Sequence, residues 1–167
     1  MEDQTLIMNE SEMNWTEWQH GDNIHHRRKN FTQGLTTNKL VASLYEIPPN
    51  KVSWPYHYHI ANEEAFYIIE GIGELRTYQG KIIKVKAGDF LRFPVGEKGV
   101  HQLKNCSNEL PLKYLDFGTT NHPDLVFMPD SNKVGLFGGG APCQDGKNRN
   151  IWKYFDLDTE INYLKDE

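Results

Sequence analysis

Cysteine is scarce. Cys106 and Cys143 are the only two in 167 residues, too few to staple a domain of this size, which excludes a disulfide scaffold. No apolar run approaches the roughly 18–20 residues of a membrane-spanning helix, so no membrane partner is expected. Positive charge is also in short supply: 18 Lys and Arg stand against 23 Asp and Glu, a formal net charge of −5. That sign argues against nucleic acid as a partner, because phosphates call for a positive field. The N-terminus shows neither a basic patch nor an apolar stretch of the signal-peptide kind, and a cytoplasmic location is the expectation. Long helical periods are missing too, which removes a coiled coil.

What is present is one domain's worth of chain with 38% hydrophobic residues, enough to bury a single core. Residues 1–14 are polar and aperiodic and read as a loosely docked tail. Trp15 and Trp18 follow at helical spacing and read as a short turn packed on the body. The run His25-His26-Arg27-Arg28-Lys29 reads as a solvated loop. Every charged residue before Arg27 is acidic (Glu2, Asp3, Glu10, Glu12, Glu17, Asp22), so partners for it are at hand.

From Leu40 the texture changes to short β-like runs broken by turn residues: Leu40–Ile47, Glu64–Ile69, Glu74–Tyr78, Lys81–Val85, Phe90–Phe93, Val100–Lys104 and Leu112–Gly118. Gln79-Gly80 suits a tight hairpin turn. Such spacing indicates an antiparallel sandwich or barrel. Beyond Thr119 the pattern loosens, and Gly138-Gly139-Gly140 reads as a linker, since no strand-to-helix context supports phosphate binding. Ile151–Leu164 is rich in aromatics and is expected to pack on the barrel or on a partner chain. The layout is therefore an N-terminal extension over 1–38, a barrel over 39–120 and a C-terminal extension over 121–167.

Three of the seven histidines stand in informative surroundings. His57 and His59 are two residues apart, so on an extended segment both rings leave the same face, with Cα atoms roughly 6.6 Å apart at about 3.3 Å per residue. Two such imidazoles can converge on one ion. Glu64 opens the next apolar run, and a turn at Ile60-Ala61-Asn62 could bring its carboxylate back toward them. His101 opens a later strand, where antiparallel pairing can set it opposite the pair.

The stretch Pro55-Tyr56-His57-Tyr58-His59, then Glu64 and Gly71, resembles the first motif of the cupin superfamily. Gly88, Pro94-Val95-Gly96, His101 and Asn105 are similar to the second, although four residues rather than the usual two separate Gly96 from His101. The family's glutamate stands seven residues before the closing glycine, which selects Glu64 over Glu63. Further likeness, in Tyr45-Glu46-Ile47-Pro48-Pro49 and Met128-Pro129-Asp130-Ser131, is to small single-domain bacterial cupins and implies no particular reaction.

The resemblance implies an all-β, antiparallel double-stranded β-helix (a jelly-roll barrel) with His57, His59, Glu64 and His101 around one divalent transition metal. The ligand set suits Mn, Fe, Ni, Co or Zn. Four protein ligands leave two positions open on a six-coordinate ion, room for a small-molecule ligand. The expected function is action on a small oxygenated metabolite by oxygenase, isomerase, decarboxylase or lyase chemistry. The alternative is a non-catalytic small-molecule or sugar-binding module. Tyr56, Tyr67, Arg92 and Gln102, with Tyr58, are candidates to orient ligands or meet substrate, and no residue is singled out as catalytic. Cys106 and His101 are five residues apart, hence on opposite strand faces, which removes a Cys/His nucleophile. A homodimer is expected, as cupin-like sheets often pair at an edge.

Overall fold

The computed structural model describes residues 7–32, 39–139 and 149–165. Cys143 and Gly140 lie outside them. The described residues hold thirteen strands and short 3-10 turns, and no helix among them is long and apolar enough to cross a membrane. The expected all-β fold is present as an antiparallel double-stranded β-helix.

One sheet has six strands. Its centre is β3 (Leu40–Ile47) paired to β10 (Leu112–Thr119), which pairs in turn with β5 (Glu64–Glu70) and, through it, β8 (Phe90–Phe93). The other edge is the hairpin β1 (Thr16–His20) and β2 (Ile24–Asn30), joined to β3 through β2. Facing this sheet are β7 (Ile82–Lys86), β6 (Ile72–Arg76) and β9 (Gln102–Asn105) on one side. On the other lie β13 (Ile151–Asp156), β12 (Lys133–Gly138), β11 (Asp124–Met128) and the two-residue β4 (Tyr58–His59). An antiparallel bridge between His57 and His101 stitches these two groups together. Its two backbone bonds, 3.1 and 2.9 Å, are mutual.

Alternation decides what is inside. On β10, Leu112, Tyr114, Asp116 and Gly118 face inward; opposite them on β3 stand Ile47, Tyr45, Ser43 and Val41. Tyr45 and Tyr114 stack at 5.2 Å between ring centres and are fully buried. With Ile47, Ile68, Leu75, Val85, Leu103 and Leu112 they form the apolar half of the barrel interior, where the non-directional gain from burial is largest. The strand ends fall where turn residues stand: β3 stops before Pro48-Pro49, and β6 turns to β7 through Tyr78–Gly80, with Gln79 and Gly80 at φ 58° and 73°.

The N-terminal segment departs from expectation. Trp15 and Trp18 are not on a helical turn; Trp18 lies on β1, 5.7 Å from the Trp54 ring, and Trp15 lies beneath the cations of Arg27 and Lys29. The basic run is strand β2 rather than a loop. Its acidic partners are those anticipated, Glu17 for His25 and Glu10 for Lys29, with Glu46 added for Arg27. Strand pairing also continues past residue 120, since β11 pairs with β4 through Val126 and His59. Gly138 ends β12. The aromatics of β13 pair by backbone to β12, yet Trp152, Tyr154 and Phe155 stay about half exposed.

Candidate metal centre

Three imidazoles point at one carboxylate oxygen. The Nε2 atoms of His57, His59 and His101 stand 3.6, 3.5 and 3.3 Å from Glu64 Oε2. Each ring is placed by backbone pairing. The His57–His101 bridge sets two of them side by side, 4.7 Å between ring centres. Strand β4 carries His59 on the same face as His57, as the spacing predicts. Glu64 begins β5 opposite Phe93 of β8 and Gly118 of β10. A Cβ at Gly118 would press on Val41 at 3.2 Å and make ordinary contact with Glu64 Cγ at 3.8 Å.

The far side of each ring settles its tautomer. His57 Nδ1 is 2.8 Å from Pro55 O and His101 Nδ1 is 2.9 Å from Gly99 O. A carbonyl oxygen only accepts, so both Nδ1 atoms carry the hydrogen. His59 Nδ1 is 2.6 Å from Asp124 Oδ2, a carboxylate acceptor. All three Nε2 lone pairs therefore face inward, toward the Glu64 oxygen. Gathering four electron-rich atoms in a buried space is unfavourable unless a cation lies among them. Glu64 Oε2 and His101 Nε2 are in fact buried without a hydrogen-bond partner.

Donors bound about 2.0–2.2 Å from a single ion stand about 2.8–3.1 Å apart at octahedral angles and about 3.3–3.6 Å apart at tetrahedral ones. The three measured separations fall in the tetrahedral range. His57, His59 and Glu64 offer donors all within 4.8 Å of one another, a group that could hold a metal ion; His101 Nε2 stands 3.3 Å from the same Glu64 oxygen. Nitrogen-rich donors with one carboxylate suit a divalent transition ion better than Ca or Mg.

Positive charge is favoured beside Glu64. Burial alone would raise the Glu64 carboxyl, but the imidazoles in their protonated form, in which Nε2 carries a hydrogen in place of a lone pair, hold it well below its ordinary range, His59 first. Burial pulls His59 down, and Glu64 with Asp124 reverses this to a net rise. His101 is lowered, chiefly by burial. Aromatic rings wall the centre: Phe93 stacks on His101 at 3.6 Å, and Phe66 meets the same ring edge-on at 5.4 Å.

Glu63 is not at the centre. It lies on the outer surface, bound to Arg92 at 2.9 Å. The residues expected to meet a substrate are not gathered there either. Arg92 and Tyr67 are exposed on the outer face of their strands, one and three residues from inward-facing Phe93 and Glu64. Gln102 donates to Trp54 O from the opposite face to Leu103, and Tyr56 is engaged at Thr77 O with its ring under Arg76. Tyr58 stacks on Phe127. Two inward carboxyls lie outside both sequence motifs. Asp124, fully buried, holds His59 and also accepts from Ala61 N at 2.9 Å. Asp116, 6% exposed, shares the inner face of the sheet with Glu64.

A double-stranded β-helix with three imidazoles and a carboxylate round one point has the architecture of a cupin. Residues 43–118 match the family model of the cupin domain. Among curated proteins no sequence match was found. Solved structures give closer company. A protein from Acidithiobacillus ferrooxidans, provisionally designated a sugar phosphate isomerase, is 25% identical with a TM-score of 0.75, covering 96% of this chain and 97% of its own. A cupin-superfamily sugar phosphate isomerase from Silicibacter pomeroyi is 17% identical with a TM-score of 0.71, over 95% and 98%. The polyketide cyclase RemF from Streptomyces resistomycificus shares the fold over 69% of this chain and 79% of its own, at 18% identity and a TM-score of 0.58.

Proposed function

We propose that this cupin is a metal-dependent enzyme that rearranges a small oxygenated metabolite inside the barrel, with sugar isomerisation as the reaction class. The observation that carries the reading is the convergence of three Nε2 lone pairs on Glu64 Oε2. His57, His59, Glu64 and His101 would hold one divalent ion from the group Mn, Fe, Ni, Co and Zn. Such an ion polarises a carbonyl and lowers the barrier to removing the proton beside it. Asp124 keeps the His59 ring in register, and the Gly99 and Pro55 carbonyls do the same for His101 and His57. Phe66 and Phe93 exclude water from one side, which strengthens every charge interaction at the centre. The full-length likeness to the Acidithiobacillus protein supports isomerisation over oxygenase, decarboxylase or lyase chemistry.

The test uses metal-loaded protein with a panel of aldose and ketose phosphates in D2O. Mass spectrometry then reads deuterium entering the carbon beside the carbonyl. Exchange that requires metal and vanishes in His57→Ala is the expected result. Binding without exchange or product would instead assign the protein as a non-catalytic sugar-binding module.

A further inference from the structure

Asp116 has no part in holding the metal, yet it is among the most enclosed carboxyls in the protein. It lies on β10 in the inward parity, paired across the sheet with Ser43 on one side and Phe66 on the other. Phe66 is two residues from Glu64 on the same face of β5, so Asp116 is the diagonal neighbour of Glu64, a relationship within reach of one shared ligand. The side chain is 94% buried by its 6% exposure, and Oδ1 has no hydrogen-bond partner. A buried acceptor left open in this way points to a group that arrives with the ligand.

The surroundings limit what that group can be. Ser43 beside it is buried. Burial, then the Glu64 charge, raises the Asp116 carboxyl well above its ordinary range; Arg28, on the inward face of β2, donates to Tyr45 Oη at 3.3 Å and offsets a small part of that rise. A divalent ion and the Arg28 guanidinium, set against the Glu64 and Asp124 carboxylates with Asp116 held neutral by burial, leave the centre net positive. A cationic amine is therefore disfavoured as the donor to Asp116, whereas a hydroxyl on an anionic molecule satisfies both demands.

We propose that Asp116 is a specificity-determining residue that accepts a hydrogen bond from a hydroxyl of a small hydroxylated anion held at the metal centre, and that Arg28 favours the anion's charge. This rests on the metal-centre reading above and adds the substrate class.

Glycerate and lactate are the probes. Both can chelate an ion through the same 2-hydroxy acid group, and glycerate has one further hydroxyl. Calorimetry on zinc-loaded protein should show glycerate preferred over lactate by about fivefold in the wild type, the worth of one hydrogen bond to a neutral carboxyl. Asp116→Leu should bring the two acids within about twofold, and Asp116→Asn, whose amide oxygen still accepts, should keep most of the preference. Arg28→Gln should weaken both acids alike and leave their ratio unchanged. A readout on the wild type does not depend on any variant folding: the carbon-13 shift of the Asp116 carboxyl should move with glycerate and not with lactate. An absent glycerate preference, a preference unchanged in Asp116→Leu, or loss of zinc from that variant would each overturn the assignment. Wild-type protein that takes up no zinc would instead overturn the metal-centre reading itself.

Discussion

Replacing Asp124 with asparagine places an almost isosteric side chain in a double bind. The carboxylate accepts on both oxygens, from His59 Nδ1 at 2.6 Å and from Ala61 N at 2.9 Å. An amide has one accepting oxygen and one donating nitrogen. If the oxygen is turned to Ala61, the amide nitrogen faces His59 Nδ1 and favours the tautomer with hydrogen on Nε2, aimed into the metal centre. If the oxygen is turned to His59, two N–H donors confront each other at Ala61. The first arrangement costs metal affinity, by about 10–100-fold for loss of such an orienting partner, which is about 1.4–2.7 kcal/mol. The second leaves a donor unsatisfied, at about 1–3 kcal/mol of folding stability. Calorimetric titration of stripped protein with Zn or Mn, beside urea unfolding of the same samples, reads both. Asp124→Asn with metal affinity and stability both equal to wild type would refute the proposed role of Asp124 in fixing the His59 tautomer.

Two further perturbations test neighbouring parts of the account. Burial pushes His26 down to about 4, with Ser53 O, which accepts from its Nδ1, offsetting only part of this. The folded state thus resists protonation that the unfolded chain accepts near 6.5, so this group's contribution is complete above pH 6.5 and is lost as pH falls toward 4, up to ~3 kcal/mol. Urea midpoints of stripped protein at pH 7.5 and 5 should fall less in His26→Gln than in the wild type; equal falls would contradict the assignment. A Cβ at Gly99 would meet Pro94 O at 1.8 Å, forcing the turn to shift together with the carbonyl that holds His101. Gly99→Ala should lose about 1–3 kcal/mol of stability and bind metal at least several-fold more weakly, and calorimetry showing unchanged uptake would remove the Gly99 carbonyl from the account.

Much of this architecture was legible because parity and turn residues agree. β3 and β8 match their expected bounds, closed by Pro48-Pro49 and by Pro94. The spacing of His57 and His59 placed both rings on one face. Where strands are exposed on both faces the signal fails. All five residues of β1 are exposed, so no alternation marks it, and the spacing of Trp15 and Trp18 imitates a helix. β13 is hidden for the same reason. The rule of alternation places the substrate candidates: Tyr67 is an odd number of residues from Glu64, and Gln102 adjoins His101, so both face away from the metal centre. Parity could have found Asp116, which alternates with Leu112, Tyr114 and Gly118. Asp124 gave no such sign, because it follows the turn residues Asn121 to Pro123 and meets His59 only through the pairing of β11 with β4.

The most direct measurement is the metal content of protein purified without a metal-affinity column, repeated after stripping and reloading. About one transition ion per chain is expected, with uptake abolished or weakened by orders of magnitude in His57→Ala and in Glu64→Ala. Wild-type protein that binds no such ion after reloading, or variants that load as well as it does, would contradict the assignment of these side chains to a metal.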